Sequence, residues 1–137
     1  HANEGGATGR LAQLLGGLDG ALAEFESGLG ERWRDTVIVV ATEFGRTARI
    51  NGTEGTDHGT GTIALLVGGA VKGGRVISDW PGLKSANLYQ GRDLAPTTDL
   101  RAVFKGVLHD HLGIGDNALA SVFPDSAAAK PMKGLLG

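Results

Sequence analysis

Two short segments contain the residue types and spacings that could do chemistry: Thr42-Glu43-Phe44-Gly45-Arg46-Thr47 and Asp57-His58-Gly59. A glutamate placed just past an apolar run and followed by glycine can be aimed into a crevice. There its carboxylate suits a hard or borderline cation, or takes a proton as a general base. Arg46 offers a planar fork for phosphate, sulfate or carboxylate. His58 belongs to the commonest class of metal ligand and is a natural acid or base. Asp57 beside it is either a ligand or a partner that orients the imidazole. Each feature also has a plainer reading, because charged loop residues are mostly solvated or paired with one another. Taken alone, an Asp-His pair is a weak motif. His1, followed by Asn3 and Glu4, reads on its own as a loose chain end. His109 and His111 lie two apart on a helix, point in different directions and share no metal; near a helix C-terminus they read as structural.

Other chemistries are excluded. The glycine pairs at 68–69 and 73–74 do not form a dinucleotide fingerprint, and no phosphate-binding GxxxxGK[ST] loop or GxSxG elbow occurs. With no cysteine, the chain has neither a disulfide framework nor a thiolate metal site. Thirteen Lys and Arg against fifteen Asp and Glu give a net charge of −2, so the basic footprint of a nucleic-acid binder is absent. The longest apolar stretches, Val37–Ala41 and Ile63–Val67, are too short to span a bilayer, and no signal-peptide pattern is present.

The elements that must position these residues are legible as patterns. The 137 residues suit one domain, 1–137, whose tail 124–137 reads as flexible or draped over the surface. Leu11, Leu14, Leu15, Leu18, Leu22, Phe25 and Leu29 form one apolar stripe of a helix, with Thr8 as cap and Gly28 and Gly30 as stop. Gly16, Gly17 and Gly20 inside it suggest close packing on a sheet. Val37–Ala41 and Ile63–Val67 read as strands covered on both faces, the mark of a parallel sheet in an α/β fold. Thr42–Gly61 is a long loop leaving the carboxyl end of the first, where open α/β sheets bind ligands. Val71–Ile77 reads as a short hairpin. A second helix starts at Pro96-Thr97-Thr98-Asp99, with Thr as cap, runs through Leu112 and stops at Gly113; residues 116–122 add a further turn or two.

Residues 10–83 and 88–108 together resemble the C-terminal part of the bacterial domain of unknown function 1501 proteins. The most distinctive stretches are Thr42–Thr47, Gly55–Gly61 and Asp93–Arg101. The resemblance implies the alkaline phosphatase-like superfamily, alongside sulfatases and cofactor-independent phosphoglycerate mutases. It implies a partial three-layer sandwich with a mostly parallel sheet, in a periplasmic protein exported through a twin-arginine signal. Members read Trp-Asp-Thr-His-x-Asn ahead of the first helix, and His1-Ala2-Asn3 matches the end of that motif. Carried over residue by residue, this makes His1, Glu43, Asp57 and His58 the expected ligands of a divalent metal, zinc or manganese, and Arg46 the clamp for a substrate anion. Phe44 stands where the superfamily places a histidine.

The functional expectation is a C-terminal part of a metal-dependent hydrolase of phosphate or sulfate esters, itself inactive because the nucleophile belongs to an N-terminal half. The alternative is a non-catalytic relative serving as a binding or structural module at the cell envelope. A chain that starts at His1 rather than Met reads as processed or as a fragment. Its uncovered sheet edges and helix face lead to an expectation of self-association, or of contact with the missing portion.

Overall fold

The structure, a computed structural model, describes all residues 1–137. Its elements are α1 (Arg10–Leu29), β1 (Ile38–Val40), β2 (Gly45–Arg46), β3 (His58–Gly59), β4 (Leu65–Val67), α2 (Leu100–Leu112) and α3 (Asp116–Val122), with 3-10 turns at Gly30–Asp35 and Ser85–Asn87.

The expected parallel sheet is not formed. β1 pairs with β4 antiparallel, Ile38 opposite Val67 and Val40 opposite Leu65, and β2 pairs with β3 antiparallel, Gly45 opposite Gly59 and Arg46 opposite His58. There are two two-stranded sheets and no mostly parallel three-layer sandwich. A parallel pair needs a crossover connection, usually a helix. Residues 41–64 hold none; they go out through β2 and come back through β3. Ile38 to Gly45 is seven steps and Gly59 to Val67 eight, so the two pairs are rungs of one long arm with a single extra residue on the returning side. The unbroken apolar runs had implied strands covered on both faces. In the structure none of the six residues of β1 and β4 is buried.

α1 follows its stripe but packs differently from expectation. It has no buried residue, and open space surrounds Gly16, Gly17 and Gly20, so it does not lie across a sheet. Gly9, not Thr8, precedes its first turn, and the Glu4 carbonyl accepts from Leu11 N–H at 3.1 Å, leaving a side-chain cap unnecessary. Gly30, at φ 52°, closes the other end. α2 is capped by the Asp99 carboxylate, which accepts from Arg101 N–H at 2.9 Å, so the cap is the aspartate and not the threonine before it. Gly113, at φ 66°, ends the helix.

What core there is gathers around α2, α3 and the last residues. Leu119 and Leu135 are fully buried, with Val107, Leu88 and Ala129 near them in burial. Residues 124–137 are strapped over α2 rather than loose. Met132 N–H donates to the Ala102 carbonyl at 2.9 Å, and buried Lys105 donates to the carbonyls of Ser126 at 2.7 Å and Ala129 at 3.0 Å. The strap passes Gly106 so closely that a Cβ there would run into the Met132 carbonyl. It then pairs with the segment expected to form a hairpin: Val71 bridges Leu136, and Lys72 N–H donates to the Leu135 carbonyl at 2.9 Å. No helix is long and apolar enough to cross a membrane.

Candidate functional site

The distal half of the β2–β3 arm meets the N-terminal residues, and this junction is the chemically richest place in the molecule. Residues 1–4 run along the tip of the arm: Asn3 N–H donates to the Thr53 carbonyl at 2.8 Å and Glu4 N–H to the Glu54 carbonyl at 3.0 Å. The His1 carbonyl accepts from the Asn51 amide at 2.9 Å and the Thr53 hydroxyl at 3.0 Å. This contact requires Gly55, since any Cβ there would collide with the His1 carbonyl. His1 is therefore a fixed residue, not a loose end.

The His1 ring is fixed as well. Its Nδ1 lies 3.1 Å from the Thr56 carbonyl. A carbonyl only accepts, so Nδ1 carries the hydrogen and Nε2 of the neutral ring presents a lone pair. That Nε2 lies 2.8 Å from Nε2 of His58. The two rings meet edge-on, centroids 4.3 Å apart. Two lone pairs do not face each other at this distance without something positive between them. Either His58 donates a hydrogen from Nε2, which the 2.8 Å separation fits, or the rings part by about half an ångström and both nitrogens serve one tetrahedral cation at about 2.0–2.1 Å.

Phe44 supports the second ring. It stacks on His58 at 4.4 Å with planes 10° apart. Phe44 is thus an aromatic platform for the imidazole beside it.

Arg46 and Glu4 brace the junction from behind. Arg46 Nη2 donates to Glu4 Oε1 at 2.7 Å and to the Thr56 carbonyl at 2.6 Å, and its Nε donates to the Thr56 hydroxyl at 2.8 Å. Glu4 also accepts from Thr56 N–H at 3.1 Å. The Thr56 N–H and the Arg46 guanidinium hold the Glu4 carboxyl down to about 2. The same Thr56 carbonyl that Arg46 polarises positions His1. Arg46 thus acts here through Thr56, with its fork engaged inside the protein.

Asp57 Oδ1 accepts from the Asn51 amide at 2.8 Å, and Asn51 in turn holds the His1 carbonyl. Asp57 therefore reaches the imidazole pair through Asn51. Glu43 is exposed and lies along an apolar groove formed by β4 and the segments after it. The structure brings together His1 and His58, with Arg46 and Asp57 one partner removed. No three or more of His, Cys, Asp and Glu converge as metal ligands.

Behind β2, Asp93 is almost wholly buried and accepts from the Arg92 guanidinium at 2.6 Å and the Thr60 hydroxyl at 3.0 Å. Arg92 first, and then Thr60, keep its carboxyl below the usual range. Asp93 bridges Thr47, and Leu94 N–H donates to the Arg46 carbonyl at 3.2 Å, so this segment forms the back of the arm that carries the site.

Glu4, Thr56 and Asn51 carry no signal of residue type or spacing that marks them as part of this site. The available signals were adjacency to His1 and to Asp57-His58. What was missing was the folding-back of residues 1–4 onto residues 51–58.

One family model, described as Protein of unknown function (DUF1501), matches residues 1–123. No curated protein and no solved structure matches the chain.

Proposed function

The chain belongs to the DUF1501 family, and from that premise we propose that it supplies a two-imidazole metal site to a hydrolase of phosphate or sulfate esters in an exported protein. The observation that carries the proposal is the 2.8 Å approach of His1 Nε2 to His58 Nε2, with His1 Nδ1 tied to a carbonyl. Binding one ring nitrogen to a carbonyl is the usual way of presenting the other to a metal.

Two imidazole nitrogens suit zinc better than manganese, which favours oxygen. Catalytic zinc sites have three protein ligands, and this junction offers two. It therefore fits a half-site, the other positions being filled by water, substrate or groups beyond this pair. A divalent ion there would polarise a phosphate or sulfate oxygen and stabilise the leaving oxygen.

The residues of the chain have definable tasks in this reading. His1 and His58 present nitrogens. Phe44 fixes the plane of His58. Arg46 and Glu4 orient Thr56, and through it His1. Asp57 orients Asn51, which holds the His1 backbone. Neither imidazole is hydrogen-bonded to a hydroxyl, so the nucleophile is assigned outside this junction. The test is titration of inorganic phosphate and sulfate into the zinc-loaded chain. Binding that requires zinc and vanishes in His58→Ala supports the proposal; anion binding indifferent to zinc argues against it.

A second reading is a non-catalytic binding module at the cell envelope. The observations favouring it are the lack of a third ligand and the phenyl ring of Phe44 stacked on His58. Zinc binding without any zinc-dependent affinity for oxyanions is its signature.

A further inference from the structure

Asn51-Gly52 is the one place in the chain where asparagine precedes glycine; Asn3, Asn87 and Asn117 are followed by Glu, Leu and Ala. An asparagine before glycine is intrinsically reactive. The glycine nitrogen, with no side chain beside it, attacks the amide carbon of the asparagine. That nitrogen gives its proton to base, the new N–C bond closes a succinimide, and the amide nitrogen leaves as ammonia. Water then opens the ring to aspartate or isoaspartate. The net change is water consumed and ammonia released, with no oxidation or reduction.

The fold leaves the nucleophile of this pair free and ties down the electrophile. Gly52 is exposed, its N–H donates to no group of the chain, and open space surrounds its Cα. The half-buried Asn51 amide is held at both ends. Its Oδ1 accepts from Thr53 N–H at 3.0 Å, from the Thr53 hydroxyl at 2.9 Å and from Gly55 N–H at 3.0 Å. Its Nδ2 donates to Asp57 Oδ1 at 2.8 Å and to the His1 carbonyl at 2.9 Å. Donors on one side and acceptors on the other fix the orientation of the amide, and an amide so fixed does not swing onto the Gly52 nitrogen. The His1 carbonyl belongs to residues 1–4. That segment is laid on the arm by the Asn3 and Glu4 amides and by the Glu4 carboxylate on Arg46 and Thr56. A terminal segment held this way opens locally at far lower cost than the whole fold.

We infer that Asn51 is a deamidation site gated by the docking of residues 1–4: the closed junction protects the amide, opening releases it, and the reaction then makes the opening permanent. The product cannot rebuild the contacts. A carboxylate has no hydrogen to donate, and it would face two acceptors, the His1 carbonyl and the Asp57 carboxylate. Isoaspartate also adds a methylene to the backbone and shifts the turn that brings Thr53 and Gly55 onto the side chain. Asn51 is thus a one-way latch on residues 1–4. Each step proceeds without metal, so the latch stands apart from the proposed zinc site.

The experiment incubates the chain with a chelator at mildly alkaline pH, folded and in concentrated urea, and locates deamidation by peptide mass spectrometry. In urea Asn51 is expected to react ahead of Asn3, Asn87 and Asn117. In the folded chain it is expected to react at least roughly tenfold more slowly, because reaction waits on local opening. Glu4→Ala removes contacts of residues 1–4 without touching Asn51; its rate is expected to rise in step with hydrogen exchange at the Asn3 N–H, which reports docking. Asn51→Asp, the stand-in for the product, is expected to speed that exchange while the amides of α2 stay protected. Three results would overturn the inference: equal rates in the folded chain and in urea, which removes the gate; fast Asn3 exchange in Glu4→Ala with Asn51 still slow, which assigns protection to the turn alone; or Asn3 as protected in Asn51→Asp as in the wild type, which leaves the junction closed after reaction.

Discussion

Nε2 of His1 lies 2.8 Å from Nε2 of His58, across 57 positions of sequence. The approach depends on backbone contacts more than on the rings. Residues 1–4 are laid along residues 51–56 by hydrogen bonds and pass over a glycine that admits nothing larger. The consequences of disturbing that arrangement can be stated in advance.

Gly55→Ala is expected to lift His1 from the arm while leaving the α2–α3 core intact. A Cβ at that position meets the His1 carbonyl. Zinc affinity should fall by roughly 10–100-fold, the usual cost of losing the support of a ligand, with an unchanged helical spectrum. Zinc binding as tight as in the wild type would mean that the close approach does not position the ring.

Phe44→His is expected to tighten zinc binding. The phenyl ring already stacks on His58 at 4.4 Å, so an imidazole there adds a third nitrogen at the junction and brings the site to the ligand count of catalytic zinc. Phe44→Ala, which removes the platform without adding a donor, should weaken binding instead. Competition with a chromophoric chelator measures both. Equal affinities for the two variants would contradict the geometry.

The acid limb of stability should report Glu4. Its carboxyl is held at about 2, against an ordinary value of 4.5, by the Thr56 N–H and Arg46. A depressed carboxyl favours the folded state fully above its unfolded value, and this stabilisation disappears as pH falls through its folded value. Glu4 therefore contributes above about pH 4.5 and progressively less down to about pH 2. Urea unfolding between pH 5 and 2 should show the wild type losing stability more steeply than Glu4→Gln. Parallel curves would show that the ion pair adds nothing to the fold.

The C-terminal strap makes a further expectation. Lys105→Met leaves the Ser126 and Ala129 carbonyls without their donor, at a cost of about 1–3 kcal/mol. Gly106→Ala forces the strap off α2, with an overpacking cost of about 1–3 kcal/mol. Both act on one strap, so the double variant should lose less than the sum of the singles. Strict additivity in chemical denaturation would indicate separate effects.

The sequence made local elements legible and concealed how they pair. The stripe from Leu11 to Leu29 is a periodicity and appears as a helix, Gly113 stops another, and three residues of each apolar run, 38–40 and 65–67, form strands. Strand direction is not a local property. Two unbroken apolar runs resemble buried parallel strands, yet here they are the two sides of one arm, since the stretch between them holds no crossover helix. At the site, His58, Arg46 and Asp57 stood out by residue type. Glu4 and Thr56 did not, because their importance arises only when residues 1–4 fold back over Gly55. The glycines of the arm carried the missing information: Gly45, Gly55, Gly59 and Gly61 all lie where another backbone passes too close for a side chain.

The proposed metal site is tested most directly by isothermal calorimetry of zinc into the wild-type chain and into His1→Ala, His58→Ala and His109→Ala. The expected result is one zinc per chain for the wild type and for His109→Ala. Each of the other two variants should weaken binding by at least the roughly 10–100-fold that follows loss of a supporting partner. Binding should also weaken on acidification, because only neutral imidazole ligates. Indistinguishable isotherms for the wild type, His1→Ala and His58→Ala would contradict the assignment and leave the paired imidazoles as a hydrogen-bonded contact that closes the arm.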